Sequence, residues 1–276
     1  MRLDLALVHC ALLPSRERAK AAILAGDVTV NGKEATKPGL DVSEGDVVSL
    51  RKNHDYVGRG YLKLQKALDA FAIDVTGRSC MDVGASTGGF TQLLLERGAA
   101  KVHAIDVGTG QLAQSLKTDP RVSNLEKTDF RSITREQVGA PDFAGVDVSF
   151  ISLKLILPNL FALLGDGGRA VCLLKPQFET GAPVKHGIVK NPKEHIRVIT
   201  EVCDAARREG FAICGLTHSP IAGGEGNIEF LLHLSKNDPV GAALLRTLVA
   251  QKQLPTETSE TVISCIVKSA WEDLKA

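Results

Sequence analysis

Residues 79–90 read SCMDVGASTGGF, an apolar run closed by a glycine-bearing turn where the next helical pattern, residues 90–97, begins. A strand that passes through such a turn into a helix opens a doubly wound α/β sheet, whose ligands sit outside the carboxyl ends of the strands, where glycine lets the backbone approach them. The turn runs Asp82, Val83, Gly84, Ala85, Ser86, Thr87, Gly88, Gly89, Phe90, a G-x-x-x-G-G spacing. It lacks the G-x-G-x-x-G of a dinucleotide site and the Lys-Ser/Thr of a phosphate-binding loop, which argues against a dinucleotide oxidoreductase. The carboxylate of Asp82 suits a ligand with a cationic amino group, whereas a pyrophosphate would prefer a helix N-terminus without it.

Downstream the alternation continues. KVHAIDVG (101–108) reads as a strand, QLAQSLKT (111–118) as a helix, GVDVSFISL (145–153) as a strand, and LILPNLFALLG (155–165) as a helix. RAVCLLKP (169–176) is a strand, residues 194–210 form a helix, and FAICGLTHSP (211–220) and IEFLLHLS (228–235) are strands. This pattern predicts a mostly parallel sheet, and the last two strands, with no helix between them, predict an antiparallel edge hairpin. Upstream, residues 62–71 form an amphipathic helix. Residues 237–276 form a helical tail, with AALLRTLVAQ (242–251) and TVISCIVKSAWEDLK (261–275) packed on the main domain and Trp271 as the anchor.

Before the polar linker RKNHDYVGRG (51–60), residues 1–50 form a separate small α+β module. Two apolar-periodic stretches flank Pro14-Ser15, with Ser15 as a helix cap and Gly26 as a helix stop. Asn31-Gly32 marks a tight hairpin turn, and GDVVSL (45–50) closes the module as a strand. Arg2, Arg16, Arg18 and Lys20 cluster on its helices, opposed locally by Asp4 and Glu17. They read either as a solvated face or as contacts to nucleic-acid phosphates, which position without reading sequence.

The 276 residues carry 33 Lys and Arg against 32 Asp and Glu, so any nucleic-acid contact must come from a local patch rather than a global field. At 44% hydrophobic residues the chain can bury a sizeable core, and no apolar run reaches the ~20 residues of a membrane span. The N-terminus lacks a secretory pattern. Cys10, Cys80, Cys172, Cys203, Cys214 and Cys265 are widely spaced without Cys-x-x-Cys, which predicts buried reduced thiols, no metal and a cytosolic setting. His54 and His103 read as surface or strand-end residues rather than ligands.

The chemistry-bearing residues fall at predicted strand ends. Asp106 follows the second strand, where a carboxylate accepts from both hydroxyls of a ribose, and Asp129 in KTDF could accept from an adenine amino group; each could equally be a helix cap. With Gly84, Ala85, Ser86, Gly88, Gly89 and Phe90 these positions favour an adenosine-bearing, aminoacyl-like ligand, for which S-adenosylmethionine fits best. Lys175 ends RAVCLLK, Asp147 lies in or near GVDVSFI, Glu229 interrupts the apolar GNIEFLLHL, and Lys63 lies on the helix entering the domain. Buried lysines and acids demand partners, so a structural ion-pair network is one reading. The other is a Lys-Asp-Lys-Glu tetrad around a hydroxyl nucleophile. Methyl transfer from a sulfonium needs alignment and removal of a hydroxyl proton. An ordinary lysine, with a pKa of ~10.4, needs desolvation or nearby cations to serve as base. Lys175 is then base or hydroxyl orienter, Asp147 and Glu229 hold the amines, and Lys63 assists or binds phosphate.

RERAKAAILAGDVTVNG in residues 1–50 resembles the S4-like RNA-binding domain, and residues 59–235 resemble the FtsJ-type (RrmJ-like) ribose 2′-O-methyltransferases. With GRGYLKLQKAL, DVGTGQL, KPQFE, GIVKNPKEH and GNIEF, the chain resembles the TlyA family, often labelled hemolysin A. The resemblance implies a Rossmann-like class I methyltransferase fold and 2′-O-methylation of cytidine in ribosomal RNA or ribosomal subunits with S-adenosylmethionine. It carries the tetrad onto Lys63, Asp147, Lys175 and Glu229, and favours phosphate contacts for the basic residues of the first module. Gln114 and Asp129 depart from it, where many members have Trp and Asn. Lys185, His186 and Lys190, in a Gly-Pro loop after Lys175, read as an RNA-contacting lid. The rivals are a membrane-active hemolysin, for which no strongly basic amphipathic helix is present, and a non-catalytic RNA-binding or assembly factor, which needs no buried tetrad.

Overall fold

The computed structural model describes residues 1–13, 15–24, 26–43, 45–50, 56–181, 184, 187–237 and 260–275. They divide into two units, Met1–Tyr56 and Val57–Ala276.

In the first unit, helices α1 (Leu3–His9) and α2 (Arg16–Leu24) precede strands β1 (Val28–Val30), β2 (Lys33–Glu34) and β3 (Val48–Leu50), which form an antiparallel sheet in the order β2-β1-β3. Ser15 Oγ accepts the Arg18 N–H at 3.3 Å, the expected cap. Asn31 and Gly32 both have positive φ, 53° and 75°, which matches the twist of a two-residue hairpin. Leu3, Leu7, Ala19, Ile23 and Val28 are fully buried, so this unit has its own core.

The second unit begins with α3 (Gly60–Ala70), followed by β4 (Ser79–Val83), α4 (Gly89–Glu96), β5 (Lys101–Ile105), α5 (Gln114–Lys117) and β6 (Val122–Leu125). Next come α6 (Arg135–Val138), β7 (Phe143–Val146), α7 (Leu157–Leu163), β8 (Arg169–Leu174), α8 (Pro176–Glu179), α9 (Pro192–Arg208), β9 (Phe211–His218), β10 (Phe230–Lys236) and α10 (Glu260–Lys275). The seven-stranded sheet has the order β6-β5-β4-β7-β8-β10-β9. β6, β5, β4, β7 and β8 pair in parallel, and β10 is antiparallel to both β8 and β9. The predicted hairpin is present, with β10 inserted beside β8 and β9 as the edge.

Side-chain alternation along these strands builds two apolar layers. Met81, Val146, Cys172 and Leu232 pack with α7, α9 and α10 on one face; Cys80, Phe143, Val171 and Leu231 pack with α3, α4 and α5 on the other. Such two-sided burial explains why these strands read as near-continuous apolar runs. Trp271 of α10 donates from Nε1 to His195 Nδ1 of α9 at 3.2 Å, tying the tail helix to the domain.

Several expectations are corrected. β6 is an addition to the expected strands, because VSNL carries only two apolar residues at a sheet edge and gives no clear strand pattern. The strand expected over 145–153 is Phe143–Val146, and the chain leaves the sheet at Asp147. Val57–Gly60, within the expected linker 51–60, belong to the second unit, where the Val57 N–H donates to Gln92 Oε1 at 2.7 Å and Gly60 opens α3. His103 lies inside β5, where burial pushes it down to about 4. None of the six cysteines forms a disulfide, and only Cys80, Cys172 and Cys203 are buried. The helix expected over 242–251, Lys185, His186 and His54 lie outside the described residues.

Candidate active site

The register brings five strand ends to one edge. Val83 pairs with Ile105 and with Val146, Val146 with Cys172, and Leu174 with Phe230 at the start of the reversed strand β10. Gly84, Asp106, Asp147, Lys175 and Glu229 are therefore each the first residue beyond the sheet on that edge, and residues 175 and 229 face each other if the register continues one step.

Lys63 joins them from α3. That helix buries Leu64, Ala67 and Leu68 against the sheet, and Lys63 lies on the same side, 7% exposed. A lysine there requires a counter-charge, and Glu229 Oε2 lies 2.7 Å from its Nζ. Lys175 Nζ lies 2.7 Å from Asp147 Oδ1. Asp147 lies against the start of α3: a methyl group on Gly60, one turn before Lys63, would lie 3.7 Å from its Oδ2. All four tetrad side chains are at most 18% exposed.

Asp147 is fixed by the backbone. Its N–H donates to Val83 O at 2.8 Å, and its carbonyl lies so close to Gly84 (φ +86°) that a side chain there would approach it to 2.4 Å. Only glycine meets both conditions, the left-handed backbone and the missing Cβ.

Two further residues escape a reading by sequence alone. Lys175 Nζ donates to Ser149 Oγ at 2.8 Å. Phe150 is 90% exposed, holds φ at +63°, and tilts against Phe178 of α8 with centroids 5.1 Å apart. An aromatic ring held in solvent on a left-handed backbone is strained. Its sequence signal is a large apolar residue following a serine in SFIS, which a strand reading conceals. The loop is held by buried Glu179, which accepts from Ser152 Oγ at 2.6 Å and from the Leu153 N–H at 2.7 Å. Burial raises the Glu179 pKa, against the pull of those two hydrogen bonds.

On the glycine turn, Asp82 is buried, and its Oδ2 accepts from both the backbone N–H and the hydroxyl of Thr91 at 2.8 and 2.7 Å. Its Oδ1 is buried with no hydrogen-bond partner. Burial pushes the carboxyl up to about 7, with the Thr91 bonds opposing. Asp106 accepts from the Ser86 and Gly108 N–H groups, each at 2.7 Å, which pins its carboxylate at the end of β5. Glu126, not singled out in the sequence, accepts from the Gln111 and Leu112 N–H groups at 2.8 and 3.2 Å and shapes the loop beyond Asp106. Asp129 caps a short 3-10 helix, Phe130–Ser132, and pairs with Arg131 at 2.5 Å, the capping alternative. Ala85 and Phe90 are buried, and Gly88 and Gly89 lead into α4.

In the first unit Arg2, Arg16, Arg18 and Lys20 are all exposed. In the second, Lys190 is exposed, and the loop before it is anchored: the Val189 N–H donates to Asn227 Oδ1 at 3.0 Å and Asn227 Nδ2 to Gly187 O at 2.8 Å. Among the described residues no His, Cys, Asp and Glu cluster could hold a metal.

Fold and site together define a Rossmann-like methyltransferase. Residues 56–236 match the FtsJ-like methyltransferase family and residues 1–48 the S4 domain. YqxC of Bacillus subtilis is 47% identical over 84% of this chain and 85% of its own length. The 16S/23S rRNA (cytidine-2′-O)-methyltransferase TlyA of Mycobacterium tuberculosis is 44% identical over 84% of this chain and 89% of its own. A solved Streptococcus thermophilus structure bearing a hemolysin label superposes with a TM-score of 0.76 at 41% identity, covering 100% of this chain and 97% of that one. The chain belongs to the FtsJ-like methyltransferase family, in the branch with an N-terminal S4 domain that includes proteins named TlyA.

Proposed function

We propose that the protein transfers a methyl group from S-adenosylmethionine to the 2′-hydroxyl of a cytidine in ribosomal RNA. The observation that carries this reading is the convergence of Lys63–Glu229 and Lys175–Asp147 at the carboxyl edge of the sheet. A structural ion-pair network alone would be better replaced by apolar packing.

The cofactor fits the residues present: buried Asp82 Oδ1 lacks a partner and suits its ammonium group, and Asp106 lies at the strand end where a ribose is held. When bound, it supplies a methyl on a sulfonium, an electrophile that asks only for an aligned oxygen and an exit for one proton. Lys175 provides both. Its Nζ, held by Asp147, donates to Ser149 Oγ, and on this reading the same Nζ would meet a ribose 2′-hydroxyl. Lys175 Nζ, in its neutral form, would accept the proton that the 2′-hydroxyl gives up when the cofactor supplies the methyl group. Glu229 holds Lys63 in place. Phe150 offers its exposed face to a base drawn out of its stack. The S4 domain and Lys190 supply phosphate contacts, and the 2′-hydroxyl distinguishes RNA from DNA. The same reading puts the protein in the cytosol with the ribosome.

The test is tritiated methyl incorporation into ribosomal subunits and deproteinised rRNA. Lys175→Ala is expected to abolish it while cofactor binding persists, and wild-type incorporation by the variant would remove Lys175 from the mechanism. Among the described residues no helix is long and apolar enough to cross a membrane, and a hemolysin reading would require vesicle leakage that survives Lys175→Ala.

A further inference from the structure

Asp4 lies in the first turn of α1, its side chain wholly buried, yet its partners are two arginines at the surface. Arg2 grips it with two N–H groups, Nε to Oδ1 at 3.1 Å and Nη2 to Oδ2 at 3.2 Å. Arg16, the first residue of α2, adds Nε to Oδ2 at 2.8 Å. The arginine side chains remain 47% and 48% exposed. One carboxylate thus takes the Nε–Nη2 edge of Arg2 and the Nε of Arg16, and neither arginine has its remaining donors bound to Asp4. Arg2 also packs over Gly39 and faces Asp41 across a single bridge, which further restricts its swing.

A tie between two helices needs one ion pair, and apolar residues do that work at less desolvation cost. A second arginine on the same carboxylate does something else: it sets two planar donor forks side by side, which matches the bidentate recognition of phosphate. We infer that Asp4 is a positioning residue that pre-organises Arg2 and Arg16 as a paired guanidinium clamp for an RNA backbone phosphate. The inference rests on the reading of the first unit as an RNA-binding module. Pre-organisation matters because each long side chain otherwise loses rotamer freedom on binding. The hydrogen bonds from both arginines hold the Asp4 carboxyl down at about 2, so the clamp stays ionised at physiological pH.

Simple Coulomb expectation points the other way. Asp4→Asn removes a negative charge beside an RNA-binding face, which by charge alone tightens RNA binding. The clamp requires the reverse. In full-length protein titrated with deproteinised rRNA, Asp4→Asn is expected to weaken binding about tenfold, the size of one charge-assisted hydrogen bond. The slope of log K against log salt should become shallower by about 0.7–0.9 for each phosphate that is no longer neutralised. Adding Asp4→Asn to Arg2→Ala/Arg16→Ala should cost nothing more. Should Asp4→Asn fail to fold, Arg2→Lys/Arg16→Lys keeps every charge and removes only the forks; it too is expected to weaken binding. Unchanged or tighter binding by Asp4→Asn, or by the double lysine variant, overturns the clamp. If Arg2→Ala/Arg16→Ala itself binds rRNA normally, the RNA-binding reading of this unit falls and the clamp with it.

Discussion

Lys63 Nζ and Glu229 Oε2, 166 residues apart in sequence (229 − 63), meet at 2.7 Å with side chains 9% and 4% exposed, so helix α3 and the start of β10 share one buried ion pair. Glu229 immediately precedes the residue that pairs with the strand carrying Lys175, so the pair also braces that neighbour. Removing one member strands a buried charge. Glu229→Gln is expected to lower stability by about 3 kcal/mol, read by urea denaturation. Lys63→Met/Glu229→Leu should restore much of that stability while methyl transfer stays absent. A double variant that regains both would show the pair to be a brace and no more.

Phe150 separates function from stability in the opposite sense. Its ring is 90% exposed on a left-handed backbone, so the fold gains little from it. Phe150→Gly should leave the melting temperature unchanged or raise it, because the strain at φ +63° is relieved. It should also weaken use of RNA by about 5- to 150-fold, the range for one base–aromatic stack of about 1–3 kcal/mol. Steady-state kinetics with rRNA, alongside cofactor titration, checks that the effect falls on RNA and not on the cofactor.

If Asp82 meets the cofactor's ammonium group as proposed, cofactor binding is expected to depend on pH. Its folded-state pKa, about 7, is raised above the ordinary value of 3.8. The stability this group contributes is therefore complete below its unfolded pKa and is lost as pH rises through about 7. A cationic ligand needs the ionised form, which grows over the same window. S-adenosylmethionine affinity is expected to rise about fivefold between pH 6 and 7, measured by calorimetry. Asp82→Asn should abolish that rise, and a flat wild-type profile would argue against contact between this carboxylate and the cofactor's ammonium.

The two units hold separate apolar cores. A chain lacking residues 1–50 is accordingly expected to keep its cofactor affinity within about twofold, because every residue proposed to hold the cofactor belongs to the second unit, which has its own core. Its dissociation constant for rRNA should rise at least about tenfold, since the phosphate contacts proposed for the first unit go with the deleted residues. Filter binding at two salt concentrations would show whether the missing affinity is electrostatic.

Much of this was legible in the chain itself. The order of strands and helices follows from apolar periodicity, and the G-x-x-x-G-G turn with Asp82 and Asp106 reads as a ligand edge because glycine and strand-end carboxylates are local signals. The Asn31-Gly32 hairpin and the Ser15 cap are local too, and both stand as expected. Tertiary structure decided what depends on distant partners. It paired Lys63 with Glu229 and Lys175 with Asp147, gave the Asp129 carboxylate a capping bond and Arg131 as partners, and bent 147–152 out of the sheet to expose Phe150. It also turned Asp4, which in sequence merely opposes a basic cluster, into the residue that organises it. Local backbone preference is written in neighbouring residues, whereas the ionisation and aim of a buried side chain are set by whatever the fold brings to face it.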